Sequence, residues 1–190
     1  MSNDYFNQRK ESILNKQDKS FKGNWDKKIV NLCKKINLKN NYYTTSSCSG
    51  RVVLMFDKEE KKNNLFIQIY HDLINFKQLK RDLNKIESDS LIKFKQEPCI
   101  LHIACKSLED AKFILGKARF VGLKRSGIIA TEKRFIVELL STEKLEFPII
   151  NKGKILVDDY FLKLIIKKSN FNLKKSWEKI DKLEELIYNC

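Results

Sequence analysis

The chain has 190 residues, which suits one domain or one domain with an appended arm. Hydrophobic residues make up 42% and Pro and Gly number only 2 and 6, so a collagenous or low-complexity chain is excluded. The formal charge of +14, from 38 basic and 24 acidic residues, fits an acidic partner, most commonly nucleic acid, and equally fits the Lys- and Asn-rich bias of an AT-rich genome.

Residues 5–16 read as a short helix anchored by Phe6, Ile13 and Leu14. Ile29, Leu32, Cys33 and Ile36 recur at i, i+3, i+4 and i+7, predicting a helix over 26–37 with Asn24 or Asp26 as its cap. Arg51–Phe56 and Leu65–Tyr70 are β-rich runs around the polar loop DKEEKKNN, a hairpin pattern. Phe76, Leu79, Leu83 and Ile86 place a helix over 75–88. Strands are expected at Leu91–Lys95 and Cys99–Cys105. A helix then opens at Ser107, with Asp110 as a weaker capping-box partner, and ends near Gly122.

Ser126–Thr131 and Arg134–Leu140 read as a second hairpin. Leu145–Ile150 and Lys154–Val157 read as edge strands, a setting that suits Pro148. Two helices close the chain, one over Tyr160–Ser169 capped by Asp158 or Asp159, and one carrying Leu173, Trp177, Ile180, Leu183 and Ile187 on its apolar face. Strand pairs separated by single helices predict an α+β fold with a mixed, largely antiparallel sheet and flanking helices. The stretches 51–95 and 99–140 hint at an internal ββα-type duplication. One domain over 1–170 is expected, with the amphipathic helix of 171–190 packed on it.

The longest apolar runs, such as Ile100–Cys105, fall far short of the roughly 20 residues of a membrane span. MSNDYFNQRK has no apolar core behind its charges, so no secretory signal is expected. Five cysteines without a C-x-x-C pair argue against a disulfide framework and a zinc ribbon, and fit a reducing cytosolic or nuclear compartment. No metal site is expected. A G-x-G-x-x-G turn and a P-loop are absent, so a Rossmann-type nucleotide site is unsupported.

Three places carry chemistry-bearing side chains. His102 sits in the apolar strand ILHIA, where it is either a satisfied structural histidine or the wall of a cleft. His71-Asp72 ends a strand, as a site or as a helix-capping turn. Thr44–Arg51 gathers five hydroxyls, a thiol, a glycine and an arginine. It reads either as a polar turn with a buried cysteine, or as an anion-binding nest at Ser49-Gly50 with Arg51 as a fork for carboxylate or phosphate. Ser126-Gly127 and Ser141-Thr142 are further small polar breaks that would line the same cleft if the sheet brings them near.

The run YTTSSCSGR at Tyr43–Arg51 resembles the central motif of the tRNA wybutosine-synthesizing protein 3 family. The resemblance extends over roughly residues 6–170 through DKSFKGNWD, His71, FKQEPCILHIAC, GLKRSGI and LSTEKLEFPI. Two departures stand out: where the family often has an aromatic, commonly Trp, a few residues before the histidine, the strand here is NLFIQIYH, and Leu140 replaces an arginine before Ser-Thr. The resemblance implies methyl transfer from S-adenosylmethionine to a ring nitrogen of a tricyclic guanosine beside the anticodon of phenylalanine tRNA, without a Rossmann fold. A non-catalytic RNA-binding or pathway-assembly module on the same scaffold is the alternative.

Carried onto this chain, it implies a positioning surface. His71, Ser47 and Ser49 are the catalytic candidates. Ser46, Cys48, Gly50, Arg51, His102, Ser126, Gly127, Ser141 and Thr142 are the candidates for holding S-adenosylmethionine. Lys22, Arg125, Lys167 and Lys168 are the candidates for RNA contact, and the lysines near the C-terminus read equally as a solvated helix face. Cys48 is expected to be structural, because a nitrogen target needs no covalent adduct. A cytoplasmic monomer acting on the anticodon stem-loop is expected.

Overall fold

The computed structural model describes residues 3–15, 26–57, 65–132 and 134–188. In chain order the elements are α1 (Asn3–Leu14), α2 (Val30–Leu38), β1 (Tyr42–Cys48), β2 (Arg51–Phe56), β3 (Phe66–Tyr70), α3 (Phe76–Asn84) and β4 (Ile92–Glu97). They continue as β5 (Ile100–Cys105), α4 (Leu108–Phe120), β6 (Gly127–Ala130), β7 (Phe135–Leu140), β8 (Leu145–Asn151), β9 (Lys154–Ile155) and α5 (Asp159–Tyr188). The fold is α+β, as expected, but the strands form two sheets, ordered β1-β5-β7-β6 and β3-β2-β4-β8-β9. Every pairing among the described residues is antiparallel. The chain divides into two compact units: 1–49 with 99–142 and 176–190, and 50–98 with 143–175.

The first unit holds the four-stranded sheet. Leu101, Ile103, Val137 and Leu139 alternate onto one face, where α2, α4 and the second half of α5 bury Leu32, Ile36, Ile114, Ile180 and Leu183 against them. Burying side chains of this kind stabilises a fold by roughly 1.5–3 kcal/mol each. The opposite face is covered at one end by α1, whose Phe6 meets Tyr43, Ala104 and Ile136. Helix α4 opens with the expected capping box: Ser107 and Asp110 exchange backbone and side-chain hydrogen bonds.

The second unit holds the five-stranded sheet. In β4, Ile92, Phe94 and Gln96 are buried while Lys93, Lys95 and Glu97 alternate onto the other face. Asn172 Nδ2 donates to Gln96 Oε1 at 2.8 Å, which ties α5 to β4 through a buried polar pair. Asn170 clamps the segment before α3, accepting from the Ile74 N–H and donating to the Ile74 carbonyl at 3.0 and 2.8 Å. Pro148 lies opposite Lys93, where the register against β4 shifts. Its side of β8 has no further strand, because β9 pairs only with Ile150 and Asn151.

Four local expectations are corrected. The run 42–48 is a strand, not a turn. Helix α2 starts at Val30, later than expected, with no side-chain cap at Ile29; Asp26 lies one turn earlier, where its Oδ1 accepts from the Lys28 N–H. The two closing helices are one: 159–188 contains no Gly or Pro to break it. The stretches read as a duplication differ in element order, β2-β3-α3-β4 against β5-α4-β6-β7. Lys22, Asn24, the 58–64 loop and Cys190 lie outside the described residues. Among the described residues no helix is long and apolar enough to cross a membrane.

Candidate active site

The string YYTTSSC lacks period-2 alternation because β1 is interrupted. Its register against β5 runs Thr44↔Ile103 and then Ser46↔His102, leaving Thr45 as the extra residue of a bulge. A regular strand would set Thr45 opposite His102. The bulge instead presents Ser46 there and turns Ser47 toward the core side, opposite Leu101.

The same register continues across the sheet. His102 pairs with Glu138 on β7, and Glu138 pairs with Gly127 on β6. Ser46, His102, Glu138 and Gly127 thus form one row across four strands. Ser46 Oγ lies 3.0 Å from His102 Nδ1, and His102 Nε2 lies 2.8 Å from Glu138 Oε2. Both the imidazole and the carboxylate are 27% exposed, and Ser46 is exposed. A carboxylate only accepts, so the tautomer with its proton on Nε2 lets Glu138 and the Ser46 hydroxyl both hydrogen-bond the ring. At the far end, a Cβ added to Gly127 would meet no atom within 4 Å.

Ser49 is placed differently. It is buried, and Asp26 Oδ2 accepts from its hydroxyl at 2.6 Å and from its backbone N–H at 3.1 Å. The nest expected at Ser49-Gly50 therefore already binds an anion, the chain's own carboxylate. Gly50 follows with φ 102°, a left-handed conformation that favours glycine. Ser47 hydrogen-bonds Cys33, whose thiol burial pushes up to about 12; Asp26 adds to that rise and the Ser47 contact offsets part of it. Cys48 is half-buried.

Of the other candidates in this unit, some are buried and some exposed. Ser126 is buried, its hydroxyl donating to the Leu123 carbonyl at 2.7 Å and accepting from the Leu140 N–H at 3.0 Å. Ser141 is buried against Ser176, with hydroxyls 3.1 Å apart. Thr142 and Arg125 are exposed. Leu140 is half-buried at the end of β7, opposite Ile100.

In the second unit Arg51 pairs with Glu97 across β2 and β4, Nε to Oε2 at 2.6 Å, and lies 4.9 Å from the Phe66 ring centre. Lys95 reaches the other Glu97 oxygen at 3.0 Å. Burial pushes the Glu97 carboxyl up, yet Arg51 and Lys95 outweigh it and hold it below the ordinary carboxylate value. His71 is half-buried just beyond β3. Lys167 and Lys168 are exposed on α5, and the ammonium groups of Lys168 and Lys175 lie 5.2 and 5.6 Å from the ring centre of Phe171, which is 51% exposed.

Residue patterning alone does not bring out the roles of two residues of the site. Glu138 is an acid within the apolar strand FIVELL, a pattern that marks a special position. Asp26 reads from the sequence as a helix cap.

Comparison with known proteins bears on this arrangement. The family model described as "Methyltransferase TYW3" matches residues 8–189. A Methanocaldococcus jannaschii protein named "tRNA(Phe) 7-((3-amino-3-carboxypropyl)-4-demethylwyosine(37)-N(4))-methyltransferase" is 38% identical, the match covering 92% of each chain. A Danio rerio "tRNA wybutosine-synthesizing protein 3 homolog" is 34% identical over 98% of this chain and 76% of its own. The solved "Structure of PH1069 protein from Pyrococcus horikoshii" superposes with a TM-score of 0.89 at 31% identity, covering 98% of this chain and 96% of that one. With a family model spanning nearly its whole length, the chain belongs to the TYW3 methyltransferase family.

Proposed function

We propose that this chain methylates a ring nitrogen of a wyosine-type tricyclic guanosine in phenylalanine tRNA, using S-adenosylmethionine, in wybutosine biosynthesis. The observation that carries the reading is the Tyr43–Cys48 run, held as a bulged strand that presents an exposed Ser46 hydroxyl beside His102. Relatives named for N(4)-methylation of a demethylwyosine in tRNA(Phe) supply the substrate class.

Transfer to nitrogen needs alignment more than a protein nucleophile. When bound, S-adenosylmethionine supplies the methyl carbon, and the bonding pair of its carbon–sulfur bond stays with sulfur. The residues fit such a donor chemically. Arg51 offers five N–H donors, of which the Glu97 contact engages one at Nε, so its fork is fixed in place for a carboxylate or phosphate.

The RNA side is read from α5. Five lysines and no acidic residue lie between Tyr160 and Trp177. Lys167, Lys168, Lys174 and Lys175 serve phosphates, and Phe171 offers a ring face to an unpaired base. A base beside the anticodon is already in a loop, so presenting it costs little. This is a cytoplasmic activity, carried out where tRNA is matured.

Calorimetric titration with S-adenosylmethionine, with and without tRNA, tests the reading. Saturable heat supports it. No heat under either condition leaves an RNA-binding module without chemistry.

A further inference from the structure

Replacing an N–H hydrogen by a methyl group leaves one proton to be removed. The geometry points to Ser46 as the group that receives it, with His102 and Glu138 as the positioning residues that make a serine hydroxyl basic enough to do so. This rests on the methyl-transfer reading above and adds to it a route for the proton.

The relay lies along the row across four strands. Glu138 accepts from Nε2–H and fixes the imidazole as the tautomer whose Nδ1 lone pair faces Ser46. The Ser46 hydroxyl donates to Nδ1, so its oxygen lone pairs are directed away from the ring. Because Ser46 is exposed, a substrate nitrogen can reach that oxygen. As the nitrogen lone pair forms the new bond to carbon, the N–H bonding pair stays on nitrogen and the proton passes to Ser46 Oγ. The Ser46 proton passes in turn to Nδ1. The resulting imidazolium lies 2.8 Å from the Glu138 carboxylate, and the half-exposed ring returns its extra proton to water.

The bulge at Thr45 is part of the device. Without it Thr45 would face His102, and Ser46 would point to the core side with Leu101. Gly127 completes the row by leaving the space beside Glu138 open.

The chain has only two histidines, so nitrogen-detected NMR of labelled protein shows two imidazoles, assigned with His71→Gln. The expected His102 signal is the neutral tautomer protonated at Nε2, and Glu138→Gln weakens that preference. In kinetics, Ser46→Ala lowers kcat by about a hundredfold, the scale of lost general-base help, while tRNA and S-adenosylmethionine Kd values stay unchanged. His102→Ala regains rate when imidazole is added, and Glu138→Asp recovers more rate than Glu138→Gln. An Nδ1-protonated tautomer, or a Ser46→Ala rate within about threefold of the unaltered chain, overturns the relay. Absence of any methyl transfer by the unaltered chain overturns the methyl-transfer reading and the relay's role with it, an outcome distinct from a wrong tautomer.

Discussion

The Ser49 hydroxyl and the Ser49 backbone N–H both donate to one oxygen, Asp26 Oδ2, at 2.6 and 3.1 Å. That pair fixes the end of the motif strand to the turn that opens α2. It makes Ser49 an anchor of the motif. Asp26→Ala strands two donors at a fully buried residue, and should lower unfolding free energy by about 2–4 kcal/mol in urea titrations. Ser49→Ala removes one of the two bonds together with its donor and should cost about half as much. Equal costs would contradict the shared-acceptor account.

Glu97 makes the second unit sensitive to acid. Its folded-state pKa is depressed, because Arg51 and Lys95 outweigh the effect of burial. A depressed carboxyl contributes stability that is present above its unfolded value of about 4.3 and lost as pH falls through the lower folded value. Glu97→Gln should therefore be less stable than the unaltered chain at neutral pH, with the gap closing on acidification through that window. A gap that widens on acidification contradicts the assignment.

The lysines of α5 should act on RNA alone. Changing Lys167, Lys168, Lys174 and Lys175 to Gln should weaken tRNA binding. It should also flatten the salt dependence by roughly 0.7–0.9 in slope for each phosphate that is no longer neutralised. Phe171→Ala should weaken binding by about 1–3 kcal/mol, the worth of one stacked base. S-adenosylmethionine affinity should not change in either variant. An unchanged salt slope makes this stretch a solvated face.

Gly127 tests the open row. A side chain there meets nothing within 4 Å and no left-handed backbone is involved, so Gly127→Val should fold normally. It should nevertheless raise KM for tRNA, because the valine fills space beside Glu138. Unchanged kinetics would show that substrate does not use that space.

Cys48 should be dispensable for chemistry. Cys48→Ala should keep most of the rate, since a nitrogen target calls for no thiol adduct. More than about a hundredfold loss, with binding and fold intact, would contradict this.

Much of the fold is legible in the sequence because its signals are local. Helical periodicity places α3 and α4, and β-rich runs between polar breaks place β2 through β8 within a few residues. The motif strand is illegible for a specific reason. The bulge at Thr45 destroys the period of two, and a run of hydroxyls carries no hydrophobic signal, so β1 reads as a turn. The site is half legible on the same grounds. His102 and Ser46 stand out by residue type, but their pairing and the part of Glu138 depend on register between strands more than thirty residues apart. Ser49, Ser126 and Ser141 are not sorted by sequence, because small hydroxyls at strand ends serve ligands and buried hydrogen bonds alike; all three are buried.

The central claim is methyl transfer to the tricyclic guanosine of phenylalanine tRNA. The unaltered chain should be incubated with isotopically methyl-labelled S-adenosylmethionine and tRNA from cells lacking this step, and the tRNA digested for nucleoside mass spectrometry. The account predicts one labelled methyl group on the tricyclic nucleoside, with no other nucleoside labelled. Label on a different nucleoside, or none in a protein that binds both substrates, would contradict it.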